Sequence, residues 1–258
     1  MKNKFLFLMV IFTAVLIVSC SKNKGSQAPE AKTPIENAQT ASSVKMEPGY
    51  VLRINSGFYV MDNDTGSEDD KTKWAASMSL GEKLFVGESR RAVYSSDGAA
   101  YNYVKVRREN GTEGFALAMQ IAAGGQLAVV IDEKANLYKS PKTVDVSSII
   151  IPRKTVIVIY PETENGGFVQ IKGYDPESQS YIRTDTNYIR LSSVSRKESD
   201  IQSSILLQTA LPLKNEGNEK IRRDALLESA MLDYPESVFY AEIFEVAIPN
   251  TTGVIDSE

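Results

Sequence analysis

Between residues 50 and 194 the chain repeats one pattern, in which a short apolar run is followed by a cluster of turn-forming residues. Val, Ile, Tyr and Phe dominate the runs, whereas Gly, Asn, Asp and Pro dominate the clusters. Runs of about four to eight such residues are typical of β-strands, because branched and aromatic side chains fit a half-buried pleated surface. The pattern therefore predicts a mainly β fold built of short strands.

The predicted strands fall into two consecutive series. The first series covers residues 50–54, 57–61, 83–88, 101–107 and 113–118, and the second covers 126–131, 135–138, 155–160, 167–172 and 188–191. Similar segments follow in the same order, since segment 58–59 corresponds to 137–138 and segment 103–106 corresponds to 168–171. Self-similarity of this kind indicates one structural unit used twice.

Two segments carry a resemblance to a known family. Tyr103-Val104-Lys105-Val106, followed by Asn110-Gly111 and Gly114-Phe115, resembles the closing half of a bacterial SH3 (SH3b) domain. The segment 135–141 (Ala-Asn-Leu-Tyr-Lys-Ser-Pro) resembles the opening of that domain. The resemblance implies two tandem SH3-like small barrels, at residues 46–122 and 123–195, joined near the Ala-Ala-Gly-Gly segment 122–125.

The N-terminus has the layout of a secretory signal. Lys2 and Lys4 precede an uncharged apolar run at residues 5–18, and Ser19 and Cys20 follow it. That run is shorter than the roughly 20 residues of a membrane-spanning helix. Ile17-Val18-Ser19-Cys20 resembles the bacterial lipobox, which implies a lipoprotein signal helix at residues 1–19 and a lipid on Cys20. The alternative is an unmodified cysteine in an uncleaved transmembrane anchor.

The predicted lipid on Cys20 also predicts where in the cell the protein is located. A lipid on Cys20 would hold the chain on the cell membrane or the outer membrane, with the folded part in the periplasm or on the surface. Residues 20–45 form a polar segment without aromatic side chains, which predicts a disordered tether after the lipidated cysteine. The whole organisation resembles SH3-containing envelope lipoproteins of spirochaetes and related bacteria.

The C-terminal part changes from strand to helix patterning. Residues 196–248 are predicted to be helical and residues 249–258 to form a polar tail. In the second predicted helix we place Ile221, Leu226 and Leu232 among the residues that carry its apolar character. Short helices are marginal in water, so we expect these helices to dock on the second β unit, with Leu226 as a buried contact.

Composition removes several classes of function. The chain has no histidine, and its one cysteine is the predicted lipidation site. Serine–histidine and cysteine–histidine catalysis and histidine zinc sites are therefore excluded. The net charge is −4, and no run of Lys or Arg suggests a basic face, so nucleic acid is not an expected partner. We expect no catalytic residues, no cofactor and no enzymatic activity.

An acidic segment and several aromatic residues are the candidate interaction sites. Residues 62–70 hold many carboxylates, but the spacing of an EF-hand calcium loop fails, so no metal site is predicted and a solvated or partner-binding loop is favoured. Trp74, Tyr59, Tyr94 and Tyr101 are the candidate binding residues, with core packing as the alternative for each.

Together these expectations describe a membrane-anchored envelope lipoprotein that acts as a non-catalytic binding module. The association of the SH3b family with cell walls implies peptidoglycan or an envelope protein as its partner. An alternative is a structural subunit of an envelope complex that docks through its C-terminal helices. A third and less favoured interpretation is a wall hydrolase that uses a pair of carboxylates.

Overall fold

The computed structural model of the protein describes residues 45–183 and 187–248. The predicted signal helix, Cys20, the tether up to residue 44 and the tail from residue 249 lie outside the described residues. Among the helices of the described part, none combines the length and apolar character needed to cross a bilayer.

The first sheet contains seven strands in the order β3-β2-β6-β5-β4-β1-β7. The end of β4 also pairs in parallel with the start of β3, with Lys71 opposite Val93. This pairing closes β3, β2, β6, β5 and β4 into a ring. The strands are β1 (Glu47–Val51), β2 (Ser56–Met61), β3 (Lys71–Met78), β4 (Lys83–Tyr94), β5 (Ala100–Arg108), β6 (Glu113–Leu117) and β7 (Ile121–Ala123).

The second sheet contains eight strands and follows the order β10-β9-β14-β12-β11-β8-β15, with β13 pairing on β12. Within the described residues no pairing joins its two edges, β10 and β15. The strands are β8 (Gln126–Val130), β9 (Lys134–Tyr138), β10 (Val146–Pro152), β11 (Val156–Asn165), β12 (Phe168–Asp175), β13 (Ser180–Ile182), β14 (Tyr188–Arg190) and β15 (Val194–Ser195).

The mainly β prediction is confirmed, and its strands lie in two sheets. Each predicted strand overlaps an observed one, but β3, β7, β10, β13 and β15 were missed. The chain passes from the first sheet to the second between Ala123 and Gln126. Gly124 has a φ of +76°, and a Cβ on Gly125 would lie 2.3 Å from a methyl of Val158. Glycine is thus required by conformation at one position and by close packing at the other.

Each sheet has its own apolar core. Buried residues of the first sheet's main core include Val51, Phe58, Leu84 and Val106. The second core is built from alternate residues of β8, β9, β11 and β12, among them Leu137, Ile157, Ile159, Val169 and Ile171. Each of these five is fully buried, as expected where every second strand residue faces the interior.

Three helices follow the second sheet: α1 (Glu198–Ala210), α2 (Gly217–Asp233) and α3 (Tyr240–Ala247). They pack on β8, where Val129 joins a cluster with Leu207, Leu227 and Phe239. The predicted apolar face of the second helix is wrong in detail. Ile221 and Leu232 are 70% and 71% exposed, whereas Leu227 and Ala230 are buried; Leu226 is only partly buried. Packing against α1, α3 and β8 therefore determines which residues of α2 are buried, and Ile221 and Leu232 face solvent.

Candidate functional site

The predicted aromatic residues converge around Tyr59 on β2. The ring of Tyr59 meets Tyr94 at 5.6 Å and Tyr103 at 5.3 Å between centroids, both in edge-to-face geometry. Such contacts are favoured because the positive edge of one ring faces the negative face of the other. Tyr59 and Tyr94 are half-buried, and Tyr103 is fully buried. The cluster therefore has a buried base and an accessible rim.

Strand pairing places Trp74 beside this cluster. Tyr59 lies opposite Trp74 in the β2–β3 ladder, directly after an irregularity in the register, and opposite Phe115 in the β2–β6 ladder. Directly paired residues project from the same face of a sheet, so Trp74, Tyr59 and Phe115 form a cross-strand row. Trp74 is 55% exposed, so it is not a core residue, and its indole is open to a partner.

Tyr101 is the second residue of β5, directly after the β4–β5 turn. It is 36% exposed, and its hydroxyl donates a 2.8 Å hydrogen bond to a carboxylate oxygen of Asp97. The main-chain N–H of Ala99 donates to the same carboxyl group. These hydrogen bonds, that of Ala99 first and that of Tyr101 second, lower the pKa of Asp97. The bond to the ionised Asp97 also raises the pKa of Tyr101 and fixes the direction of its ring.

The phenols of Tyr59, Tyr101 and Tyr103 have raised pKa values and stay neutral in mildly alkaline conditions. Burial raises the pKa of Tyr59, and the nearby hydroxyls of Tyr103, Tyr94, Tyr101 and Tyr181 raise it further. A neutral phenol presents an apolar ring together with one hydroxyl that donates and accepts hydrogen bonds. The cluster therefore offers apolar area with polar tips, the combination that is common at recognition surfaces.

The acidic segment is folded on itself around Asp70. The buried carboxylate of Asp70 accepts hydrogen bonds from the hydroxyl of Thr65 at 2.7 Å and from the main-chain N–H groups of Thr65 and Gly66. Arg90 Nη2 lies 2.9 Å from the same carboxylate. These contacts, the Thr65 hydroxyl first, lower the pKa of Asp70. The carboxylate therefore stabilises a loop in its ionised form.

Other carboxylates of this loop are also paired within the protein. Asp62 lies 2.6 Å from Lys73, and Asp64 is paired with Arg90. In the part of the chain that the structure describes, no group of acidic residues has the arrangement of a metal site. The guanidinium of Arg90 also stacks 4.9 Å above the ring of Phe115. Arg90 thus joins the acidic loop to the aromatic row.

A groove on the second sheet was not predicted, because β10 and β13 were missed. It has a volume of about 690 Å³ and lies between β10 and β13. Ile149 and Ile150 line one side and are 42% and 46% exposed, while Tyr181 and Ile182 line the other. The signal that could have indicated β10 is the run Ile149-Ile150-Ile151, which is short and follows two serines.

Comparisons with known proteins give little guidance. No protein-family model matches the chain, and no curated protein matches it. Among solved structures, it is similar to that of NlpC2 from Trichomonas vaginalis at 12% identity and a TM-score of 0.22. The match covers 66% of this chain and 57% of that one. At this TM-score the similarity carries no argument about fold or function.

Proposed function

We propose that the protein is a membrane-anchored, non-catalytic binding module of a bacterial envelope, and that the aromatic row on the first sheet is its recognition surface. The observation that carries the proposal is the exposure of Trp74 next to Tyr59. Exposing the apolar surface of a large indole to water is unfavourable. Tryptophan and tyrosine are also enriched among the residues that dominate binding energy.

The electrostatics of the described residues favour binding over hydrolysis. A carboxylate that acts as general acid needs a raised pKa. The carboxylates with clearly displaced pKa values are Asp70, Asp97 and Glu242, and all three are displaced downward. Hydrogen bonds or ion pairs within the protein occupy each of them. These groups are therefore suited to holding turns and helices in place.

The tandem SH3-like architecture is part of the same proposal. A small barrel requires a sheet that closes on itself, and the pairing of Lys71 with Val93 closes the first sheet. The second sheet follows in the chain after Gly124-Gly125, but within the described residues its edges β10 and β15 are not paired. The proposal of a second SH3-like unit therefore rests on the resemblance of segment 135–141 to the opening of that domain. The proposed partner is peptidoglycan or an envelope protein, because the flat aromatic faces offer apolar surface to sugar rings and to peptide side chains.

The proposal is tested by co-sedimentation of the full-length chain with purified peptidoglycan. Trp74→Ala should weaken binding at least about tenfold, the loss typical of a residue that dominates an interface. Ile221→Ala is the control, since Ile221 is a 70% exposed apolar residue on α2 and does not belong to the aromatic row. Equal loss in both variants, or undiminished binding by Trp74→Ala, would count against the aromatic row as the recognition surface.

A second candidate function rests on α3. Tyr240 and Phe244 lie four residues apart on α3, and Ile248 directly follows the helix; they are 37%, 46% and 55% exposed. Residues four apart lie on one face of a helix, so Tyr240 and Phe244 form an apolar stripe on the outside of α3, and Ile248 adds exposed apolar surface at its end. This stripe favours a structural subunit that docks through its C-terminal helices. Crosslinking in intact cells separates the two candidates, because loss of adducts in Phe244→Ala but not in Trp74→Ala would favour docking through α3.

A further inference from the structure

A second cleft lies where the two sheets and α1 meet, which we call the inter-sheet cleft. Its volume is about 340 Å³, at the lower end of the range of roughly 300–1,000 Å³ for small-molecule sites. Four parts of the chain contribute to its lining: the β1–β2 turn with Leu52, Arg53 and Asn55, the β3–β4 turn with Leu80, the β12–β13 hairpin with Tyr174 and Gln179, and α1 with Gln208.

Arg53 is held at this cleft by stacking. Its guanidinium lies 5.0 Å from the centre of the Tyr174 ring, so a residue of the first sheet's turn rests on a residue of the second sheet. Stacking on a ring fixes the plane of the guanidinium and leaves its N–H groups at the edge available. Among the described residues Arg53 has no ion pair with a carboxylate, and its side chain is exposed. The N–H donors of the Arg53 guanidinium are therefore held in a fixed plane, and no described carboxylate is paired with them.

The rest of the lining restricts the kind of anion. Among the described residues that line the cleft, Arg53 is the one that carries a charge, so the cleft can pair a single negative charge such as that of a carboxylate. Asn55 and Gln179 bring side-chain amides, which both donate and accept hydrogen bonds and so complement peptide groups. The amide nitrogen of Gln208 already donates to the carbonyl oxygen of Lys154 and to Ser204 Oγ, which leaves its amide oxygen as an acceptor. Leu52 and Leu80 supply apolar wall. These features together fit a short peptide with a free carboxylate.

The turns on both sides of the cleft have unusual backbone conformations. Asn55 and Gln179 have φ values of +56° and +53°. Side-chain-bearing residues adopt this region rarely, and such conformations concentrate at ligand sites. Ser56 Oγ donates a 2.8 Å hydrogen bond to the carbonyl oxygen of Arg53, which holds the β1–β2 turn. The positions of Arg53 and Asn55 are therefore set before any ligand binds.

We propose that the inter-sheet cleft binds the carboxylate end of a short peptide, with Arg53 as its anchor. The guanidinium donates two parallel hydrogen bonds to the carboxylate, and the amide side chains contact the adjoining peptide groups. The site is distinct from the aromatic row on the first sheet. It does not depend on that row being a recognition surface.

The test is isothermal titration of the full-length chain, in a mild detergent, with N-acetyl-alanyl-alanine and with its C-terminal amide. The acid should bind about tenfold or more tightly than the amide, because charge-assisted hydrogen bonds to the carboxylate are lost in the amide. Arg53→Gln should weaken binding of the acid by a similar factor. Arg107→Gln is the matched control, because Arg107 stacks on Phe85 at the same 5.0 Å distance outside the cleft, and it should bind the acid as the unchanged chain does.

Several outcomes would overturn the proposal. They are absence of binding by the acid, equal binding of acid and amide, and unchanged binding of the acid by Arg53→Gln. Tighter binding of inorganic phosphate than of the acid would also reject a peptide carboxylate as the ligand. Thermal melting of Arg53→Gln serves as the check on folding, and an unchanged melting temperature assigns a loss of binding to the guanidinium. Trp74→Ala should bind the acid normally, which separates this test from that of the aromatic row.

Discussion

Lys172 on β12 donates a hydrogen bond from Nζ to the main-chain carbonyl oxygen of Ile121 on β7, at 2.6 Å. A second bond of 3.3 Å reaches the carbonyl oxygen of Ala118. The amine belongs to the second sheet and both carbonyl groups belong to the end of the first, so this side chain ties the two sheets together. Burial lowers the pKa of Lys172, and main-chain dipoles are the groups that stabilise its charge.

Replacing Lys172 by methionine should therefore destabilise the protein. Methionine keeps most of the apolar stem but removes both hydrogen bonds, and bonds that involve a charged group contribute about 1.5–3 kcal/mol. We expect the free energy of unfolding, measured by urea denaturation, to fall by about that amount. Lys134→Met is the control, because Lys134 is exposed on β9 and its loss should have little effect. A stability equal to that of the unchanged chain would mean that the tie is not needed.

The contact that Lys172 makes between the two sheets could not be predicted from the sequence. The strands around it were predictable because their apolar runs are dense, as in Val156–Asn165 and Phe168–Asp175. Whether a lysine within such a strand meets solvent or a neighbouring sheet depends on how the sheets pack, which local patterning does not encode. Strand β3 was missed for a related reason, since the segment Lys-Thr-Lys-Trp-Ala-Ala-Ser-Met has little apolar character of its own.

The candidate site was predictable in residue type but not in arrangement. Trp74, Tyr59, Tyr94 and Tyr101 were identified because large aromatic side chains dominate interfaces. Their convergence depends on the register that places Tyr59 opposite Trp74. Arg53 carried no sequence signal, because its importance comes from stacking on Tyr174, about 120 residues later in the chain.

The packing of α2 gives a second prediction. Leu227 is 1% exposed and lies in the cluster between the helices and β8, so Leu227→Ala should lower the free energy of unfolding by about 2–5 kcal/mol. Leu232→Ala removes the same atoms from a side chain that is 71% exposed, and it should cost less than about 1 kcal/mol. Comparable losses in the two variants, measured by thermal unfolding, would show that the buried face of α2 is assigned wrongly.

The third prediction concerns acid stability and Glu242 on α3. Arg153 Nε lies 2.7 Å and Lys154 Nζ 2.5 Å from its two oxygens, so one carboxylate joins α3 to the β10–β11 turn. Burial by itself would raise the pKa of Glu242, but the bonds from Lys154 and Arg153 outweigh it and the pKa is lowered. The stabilisation is therefore complete above the unfolded value of about 4.3 and is lost as the pH falls through the lower folded value.

Glu242→Gln should accordingly reduce the dependence of stability on pH below about 4.3. Glu245→Gln is the control, because Glu245 is an exposed residue on the same helix. Denaturant midpoints measured at a series of acidic pH values provide the comparison. If Glu242→Gln loses stability on acidification as steeply as the unchanged chain does, the ion pair is not a source of acid sensitivity.

The fourth prediction concerns alkaline stability and Tyr160 on β11. Burial raises its pKa to about 12, with smaller contributions from the charges of Glu162 and Glu47. The unfolded value is about 10, so the folded state keeps a proton that the unfolded state has lost. Stability is thus unaffected by this group below about pH 10 and falls as the pH rises toward 12.

Tyr160→Phe removes the ionisable hydroxyl and should flatten the loss of stability over that alkaline range. The exposed Tyr240→Phe should leave the loss as it is in the unchanged chain. Unfolding followed by fluorescence gives the stability at each pH, and ultraviolet titration of phenolate formation counts the tyrosines that ionise. An identical alkaline decline in Tyr160→Phe would assign the loss to other groups.

The last prediction concerns Cys20, which lies outside the described residues. Ile17-Val18-Ser19-Cys20 follows an apolar run at residues 5–18, and the hypothesis is that Cys20 becomes the lipid-bearing N-terminus of the mature chain. Each buried methylene of an acyl chain contributes about 0.8 kcal/mol, one chain alone binds a membrane only marginally, and two or more chains hold it stably. Cys20→Ala should therefore abolish labelling by radioactive palmitate and transfer the protein from the membrane fraction to the soluble fraction. Ser21→Ala keeps the thiol and should retain both properties. Palmitate labelling that persists in Cys20→Ala would refute lipidation at this residue, because the chain has no other cysteine to carry the thioether.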